Sequence, residues 1–288
     1  MSSSPKTTTA EQYMRLRLSS RARRAISSLN TAQSRHGFDP FGFQPEALRH
    51  VLPFVEPLYN HYFRVEHFGL DNIPAEGPVL LISNHSGQLP IDGLMIATCC
   101  LLELDPPRAV RSMVEKWTAE LPFVSWVFPR LGQVVGTRTN ARELLARDGC
   151  ILAFPEGVRG ISKTYDKAYQ LQEFGLGFMR LALDTGTPIV PVGVVGAEEQ
   201  MPAIANLERV GATFGLPALP ITPTFPLLGP LGALPLPVKY RIHFGEPMHF
   251  EGAPDDEDRV IRTQVDLVRD AISGLLEHGL RTRSGIFS

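Results

Sequence analysis

VLLISNHSGQLPID, residues 79–92, runs four apolar residues and a serine straight into a polar turn, and IDGLMIATCCLL (91–102) continues it as an apolar helical pattern. A short apolar run bounded by turn signals is the mark of a strand buried on both faces. His85 therefore falls just past the end of a buried strand, where open α/β sheets build their sites. Six residues separate His85 from Asp92. A continuous helix would hold the two about 10 Å apart, too far for a hydrogen bond. Gly87 and Pro90 disfavour such a helix, so the expectation is a wider loop that returns Asp92 to His85, with Pro90 in the first turn of the next helix.

The same texture extends outward from this stretch. Upstream, FRVEHFGL (63–70) alternates as a strand and DNIPAEGP (71–78) reads as a turn. Downstream, AVRSMV (109–114), CILAFPEG (150–157), TPIVPVGVVG (187–196) and KYRIHFGEPM (239–248) read as strands. Between them, LPFVSWVFPRLG (121–132) reads as a short helix or apolar loop and QVVGTR (133–138) as a strand or turn. ARELLARDG (141–149) reads as a helix stopped by Gly149, and residues 168–186 as a helix with Gly186 past its end. A last amphipathic helix, capped by Asp255 or Asp256, runs to about Gly279, with Val260, Ile261, Val265, Val268, Ile272 and Leu275 on its apolar face. This alternation predicts a single α/β domain over residues 63–280: a mixed, mainly parallel sheet flanked by helices. An N-terminal tail and helical segment, residues 1–62, precedes it.

In that segment, residues 1–10 read as a polar tail. Residues 11–30 carry Arg15, Arg17, Arg21, Arg23 and Arg24 among apolar residues, which fits either a basic amphipathic helix on an anionic membrane or a solvated helix. A second helical pattern over 44–62 should kink or divide at Pro53. Residues 210–238 contain seven prolines and no Asp, Glu, Lys or Arg. Such a loop suits a lipid interface, the roof of an acyl pocket, or packing on the core.

Hydrophobic residues make up 43 % of the 288, enough for a sizeable core. The formal net charge of -2 argues against a general nucleic-acid binder. Cys99, Cys100 and Cys150 fit neither a zinc spacing nor a disulfide framework, so all three are expected to be reduced and buried, as in the cytosol. The first residues carry no apolar core of a signal peptide, and no uncharged stretch has the apolar density of a span. Any membrane contact is then expected to be peripheral, on the cytoplasmic face.

Three short motifs can carry chemistry, each after an apolar strand. In NHSGQLPID (84–92), His85 and Asp92 suggest a base and its orienter. Taken alone, a His/Asp pair among eight histidines is more readily coincidence. In FPEGVRG (154–160), Glu156 and Arg159 flank Gly157, a set that can hold a polyol or phosphate: Arg offers a fork of donors and Gly lets backbone approach. In GQVVGTR (132–138), Arg138 can meet an anionic head group, or simply be a solvated charge.

The three in this order, followed by IVPVG (189–193), resemble the four blocks of the glycerolipid acyltransferases, the lysophosphatidic acid acyltransferase superfamily, over roughly residues 65–200. The resemblance implies that His85 deprotonates an acceptor hydroxyl, which attacks the thioester of acyl-CoA or acyl-carrier protein. Asp92 would orient His85, while Arg138, Glu156, Gly157 and Arg159 would bind the glycerol or glycerol-phosphate part of the acceptor. Lys163 would add a further cation. It implies no metal, no cofactor beyond the acyl-CoA or carrier-protein co-substrate, and no covalent acyl-enzyme. The implied acceptor is a lysophospholipid or related glycerolipid at a membrane surface, in phospholipid biosynthesis. The wide His85–Asp92 spacing, where the family commonly has four intervening residues, resembles the branch related to mono- and diacylglycerol acyltransferases. A neutral diacylglycerol, long-chain alcohol or amino-lipid is then the alternative acceptor, and a non-catalytic lipid-binding protein or a thioester hydrolase the alternative activity.

Overall fold

The computed structural model describes residues 18–29, 36–85, 89–116, 118, 124–161, 163–207 and 219–288. The strands are β1 (Glu66–Phe68), β2 (Val79–Ser83), β3 (Val110–Val114), β4 (Val134–Val135), β5 (Cys150–Ala153), β6 (Ile189–Val195), β7 (Ala205–Leu207), β8 (Leu219–Ile221) and β9 (Arg241–Phe244). β7 and β8 pair with each other, antiparallel. The other seven form one sheet in the order β1-β9-β6-β2-β5-β3-β4. All neighbours in it are parallel except β6 and β9. The mixed, mainly parallel sheet predicted from the strand–helix alternation is therefore the architecture of this single domain.

β2 lies at the middle of the sheet, and all five of its residues are buried. Val79 and Leu81 join the core on one face, Leu80 and Ile82 the core on the other. Each such side chain contributes roughly 1.5–3 kcal/mol by leaving water. α2 (Leu48–Pro57) and α3 (Ile91–Leu102) cover the first face. α5 (Arg138–Leu145), α7 (Gly177–Thr185) and α8 (Asp258–Thr282) cover the second. α8 comes so near β6 that a Cβ on Gly193 would lie 2.7 Å from that of Leu275. α4 (Val124–Arg130) and the short α6 (Val158–Ile161) lie at the strand ends.

Several local expectations are corrected. α2 is not divided at Pro53; it continues to Pro57, where the chain passes into a π-type turn, Leu58–Tyr62, and Phe63 N–H donates to the Leu58 carbonyl. After α5 the left-handed residue is Asp148 (φ 58°), not Gly149. Gly149 is needed for closeness instead: a Cβ there would lie 2.6 Å from the Leu144 oxygen. Only the second half of residues 168–186 is helical. The first half is a loop, because Gln172 N–H is drawn to the Glu156 carboxylate and Gly175 N–H to the Pro155 carbonyl. Gly186 does end α7 in the left-handed conformation, φ 63°. α8 starts at Asp258 behind Glu257, without a side-chain cap; the Asp256 carboxylate accepts from Ala253 N–H instead. Val260 faces solvent, and Leu276 is buried on the apolar side.

The N-terminal helix α1 (Ser20–Ser28) is capped by Ser19, whose hydroxyl accepts from Ala22 N–H at 3.0 Å. Ala22, Ala25 and Ile26 pack with Leu52, Leu101 and Leu102. Arg21 pairs with Glu103. The apolar side of this helix, open to either a membrane or a solvated reading in the sequence, is thus covered by α2 and α3. Residues 1–17, with Arg15 and Arg17, fall outside the described residues, as do 210–218 of the proline-rich loop. The three cysteines are buried free thiols. Among the described residues no helix is long and apolar enough to cross a membrane.

Candidate active site

Ile82 on β2 lies opposite Ala153 on β5. Three residues further along each parallel strand come His85 and Glu156, so register alone brings them together at the C-terminal edge of the sheet. Glu156 is buried, and both its oxygens are engaged by backbone. Oε1 accepts from His85 N–H at 2.9 Å and Oε2 from Gln172 N–H at 2.8 Å.

The partner of the imidazole is Asp92: Nδ1 and Oδ2 are 2.8 Å apart. Asp92 sits in the first turn of α3, is fully buried, and accepts from Gly93 N–H through Oδ1 at 2.7 Å. A carboxylate in a first turn is favoured by the helix dipole. The loop between the two residues therefore closes in spite of its length. Pro90 stands at the cap position just before the first turn rather than within it. Ser86, Gly87 and Gln88 lie outside the described residues.

Three more residues hold the ring and its strand end in place. Phe154 stacks on the His85 imidazole, with centroids 4.0 Å apart and planes at 21°. The His85 side chain keeps 11 % exposure. Asn84 ties this strand end to β6: Oδ1 accepts from Val194 N–H at 2.8 Å, and Nδ2 donates to the Val194 carbonyl at 3.2 Å. Gly160 lets the chain after Glu156 lie against His85; a Cβ there would lie 2.8 Å from the His85 oxygen and 2.9 Å from the His85 Cβ.

The other singled-out residues are dispersed. Gly157 turns the chain at φ 57°. Arg159 is exposed and reaches the Glu173 carboxylate at 3.3 Å. Arg138 is the exposed first residue of α5 and lines an open depression of about 500 Å³ with Thr139, Arg142 and Glu143. Lys163 is not a surface cation. It is buried, with Nζ 2.7 Å from Glu198 Oε1 and 3.6 Å from Glu156 Oε2. Burial pushes the Glu198 carboxyl up to about 7, although Lys163 pulls it down. An apolar cavity of about 240 Å³ opens beside the end of β3, lined by Phe41, Val114, Val124, Phe128 and Val134 among others. Among the described residues no three His, Cys, Asp or Glu gather as a metal site.

Sequence reasoning assigned no role to Asn84, Phe154, Gly160 or Glu198. The first three stood inside motifs already noted. A pair of acids directly after a buried strand, Glu198 and Glu199, was the available signal for the last.

The family profile described as Acyltransferase matches residues 64–195. An uncharacterised protein of Mycobacterium leprae is 38 % identical over 254 residues, 86 % of this chain and 69 % of that protein. A DGAT1/2-independent enzyme synthesizing storage lipids, from Bos taurus, is 23 % identical over 76 % of this chain and 61 % of that one. The crystal structure of the 1-acyl-sn-glycerophosphate acyltransferase of Thermotoga maritima superposes with a TM-score of 0.51 over 96 % of this chain and 90 % of its own, at 18 % identity, a likeness of fold. With the four blocks in order and the His85–Asp92 pair closed between the end of β2 and the start of α3, the chain belongs to the glycerolipid acyltransferase superfamily and is an acyltransferase.

Proposed function

We propose that this enzyme transfers a fatty acyl group from acyl-CoA or acyl-carrier protein to a hydroxyl of a lysophospholipid or related glycerolipid, with His85 as general base. The observation that carries the reading is the 2.8 Å contact between His85 Nδ1 and the fully buried Asp92 carboxylate. A carboxylate on Nδ1 keeps the proton there and leaves the lone pair on Nε2. Nε2 then takes the acceptor's hydroxyl proton as that oxygen attacks the thioester carbonyl. The tetrahedral adduct collapses with cleavage of the C–S bond, and the thiolate leaves, taking a proton from the imidazolium or water. No metal, cofactor or acyl-enzyme enters this scheme.

Glu156, with both oxygens engaged by backbone, fits the role of holding the His85 loop better than that of holding the acceptor. Arg138, Arg159 and the backbone at Gly157 remain the candidates for the glycerol-phosphate part. The apolar cavity beside Val114 suits part of an acyl chain. The exposed side chains of Leu227, Leu228, Leu231 and Leu234, in the charge-free loop, suit peripheral contact with the cytoplasmic face of a membrane.

A neutral acceptor such as diacylglycerol is the second reading. Lys163 is turned inward, which removes one cation from the expected phosphate site, and the Bos taurus relative makes storage lipids. Offering labelled acyl-CoA with a panel of lysophospholipids and neutral glycerides, and weighing the products, separates the two. His85→Ala is expected to retain its fold and lose roughly 10²–10⁴-fold in acyl transfer. Thiol release independent of acceptor would mark a thioester hydrolase, and a wild-type chain inert with every donor and acceptor would overturn the proposal.

A further inference from the structure

The residue that orients the His85 ring is Asp92, but the backbone of His85 is held by a different, deeper chain of contacts. His85 N–H donates to Glu156 Oε1. Glu156 Oε2 faces Lys163 Nζ at 3.6 Å, and Lys163 donates to Glu198 Oε1 at 2.7 Å. Glu198 also accepts from Tyr169 N–H at 3.4 Å. All three charged side chains are buried: Glu156 2 %, Lys163 8 % and Glu198 6 % exposed. Two residues past Glu198, the Gln200 side chain donates to the Leu89 carbonyl at 3.3 Å, at the far end of the same His85–Asp92 loop. Both ends of the loop are therefore tied to one stretch, residues 198–200, which lies beyond the reach of the family profile.

Two buried carboxylates facing one site repel each other unless a cation lies between them. Both Glu156 oxygens accept from backbone N–H groups, so His85 and Gln172 stay in place only while that carboxylate does. Lys163, between Glu156 Oε2 and Glu198 Oε1, is that cation. Among the described residues Lys163, Glu156, the Tyr169 amide and Tyr240 act on Glu198 or feel it, and burial raises its carboxyl to about 7; the single lysine lies between the two acids.

We propose that Lys163, anchored by Glu198, is a positioning residue for His85: it holds the Glu156 carboxylate in place and so fixes the backbone from which the imidazole reaches Asp92. The proposal rests on His85 being the general base. It sets Lys163 apart from Arg138 and Arg159, which face solvent, and withdraws it from the acceptor site.

The test compares Lys163→Met with the double variant Lys163→Met/Glu198→Gln. The single change leaves two buried acids without a cation. The double change removes one acid as well and leaves Glu156 with its two N–H donors. Lys163→Met is expected to lower kcat on the order of 10–100-fold with KM for acyl-CoA and acceptor nearly unchanged. The double variant is expected to recover most of that loss. Equal kcat in the single variant and wild type, parallel losses in kcat and KM, or a double variant no better than the single one would overturn the proposal. If the single variant does not fold, a folded double variant with near wild-type kcat supports it, and one with low kcat overturns it. A readout independent of turnover separates this idea from the catalytic one: the Nδ1–H resonance of His85 in nitrogen-15 histidine spectra, assigned with His85→Gln. It should be sharp in wild type, broadened in Lys163→Met and restored in the double variant. An unchanged resonance in Lys163→Met overturns the positioning role even in an inactive chain, whereas missing acyl transfer with the resonance behaving as expected overturns only the reaction.

Discussion

Gly160 is the residue on which the closeness of the site depends. The chain after Glu156 passes so near His85 that an added Cβ would meet the His85 oxygen at 2.8 Å, the His85 Cβ at 2.9 Å and the Glu156 Cβ at 3.0 Å. Two of those atoms belong to the residue proposed as base, and neither is the end of a flexible side chain. Gly160→Ala must push His85 or its own helical turn aside. It is expected to lower kcat on the order of 10–100-fold and to destabilise the fold by about 1–3 kcal/mol. Gly177→Ala is the control, because nothing lies within 4 Å of its added Cβ; steady-state kinetics and melting curves of the two should diverge. Comparable activity in both variants would mean that the His85 backbone tolerates displacement. The long His85–Asp92 spacing leaves the contact between the two side chains intact. The hydrogen bond needs Asp92 at the start of α3 and His85 at the end of β2, and those two ends are fixed by the sheet and its covering helix rather than by the loop between them.

The turn at residues 222–238 presents four exposed leucines, Leu227, Leu228, Leu231 and Leu234. Leu227 is 83 % and Leu231 72 % exposed, and a short 3₁₀ turn, Gly229–Ala233, carries Leu231. Gly232 makes the turn possible: the Thr224 hydroxyl donates to the Gly232 carbonyl at 2.9 Å, and a Cβ on Gly232 would collide with the Thr224 oxygen. The leucines are held outward by a tight turn, not left there by slack. They make few contacts to lose, so Leu227→Asp with Leu231→Asp is expected to change stability by less than ~0.5 kcal/mol. The same pair is expected to abolish co-flotation with anionic phospholipid vesicles. Flotation equal to wild type would remove this turn from the membrane-facing surface. α1 behaves in the opposite way. Its apolar side packs on Leu52, Leu101 and Leu102, and its basic residues flank a face already covered.

For the whole molecule, the buried acid at residue 198 makes stability depend on pH. Its carboxyl is raised by burial from 4.5 to about 7. The folded chain then binds more protons there than the unfolded chain, so this contribution is full below about 4.5 and shrinks as pH rises towards 7. His243 works the other way. Burial lowers it from 6.5 to about 4, and its contribution is lost as pH falls through that window. Glu198→Gln removes the first slope and keeps the second. Urea unfolding at pH 4.5, 5.5 and 6.5 should show the variant gaining on wild type as pH rises, by on the order of 3 kcal/mol at most. A constant difference between the two would place the Glu198 ionisation elsewhere. What could be read from the chain alone is what depends on near neighbours. The apolar runs of β2, β5 and β6, the breakers at Gly87 and Pro90 and the four ordered blocks led to the parallel sheet, to strand-end sites and to the His85–Asp92 pair, because strand burial and turn formation are decided within a few residues. Three things became visible only in the folded molecule: the inward turn of Lys163 towards Glu198, 35 residues on, the covering of α1 by α2 and α3, and the unwinding of residues 168–176 onto Glu156. Each is settled by a partner distant in sequence, and local pattern carries no information about which buried charge or apolar face will be opposite.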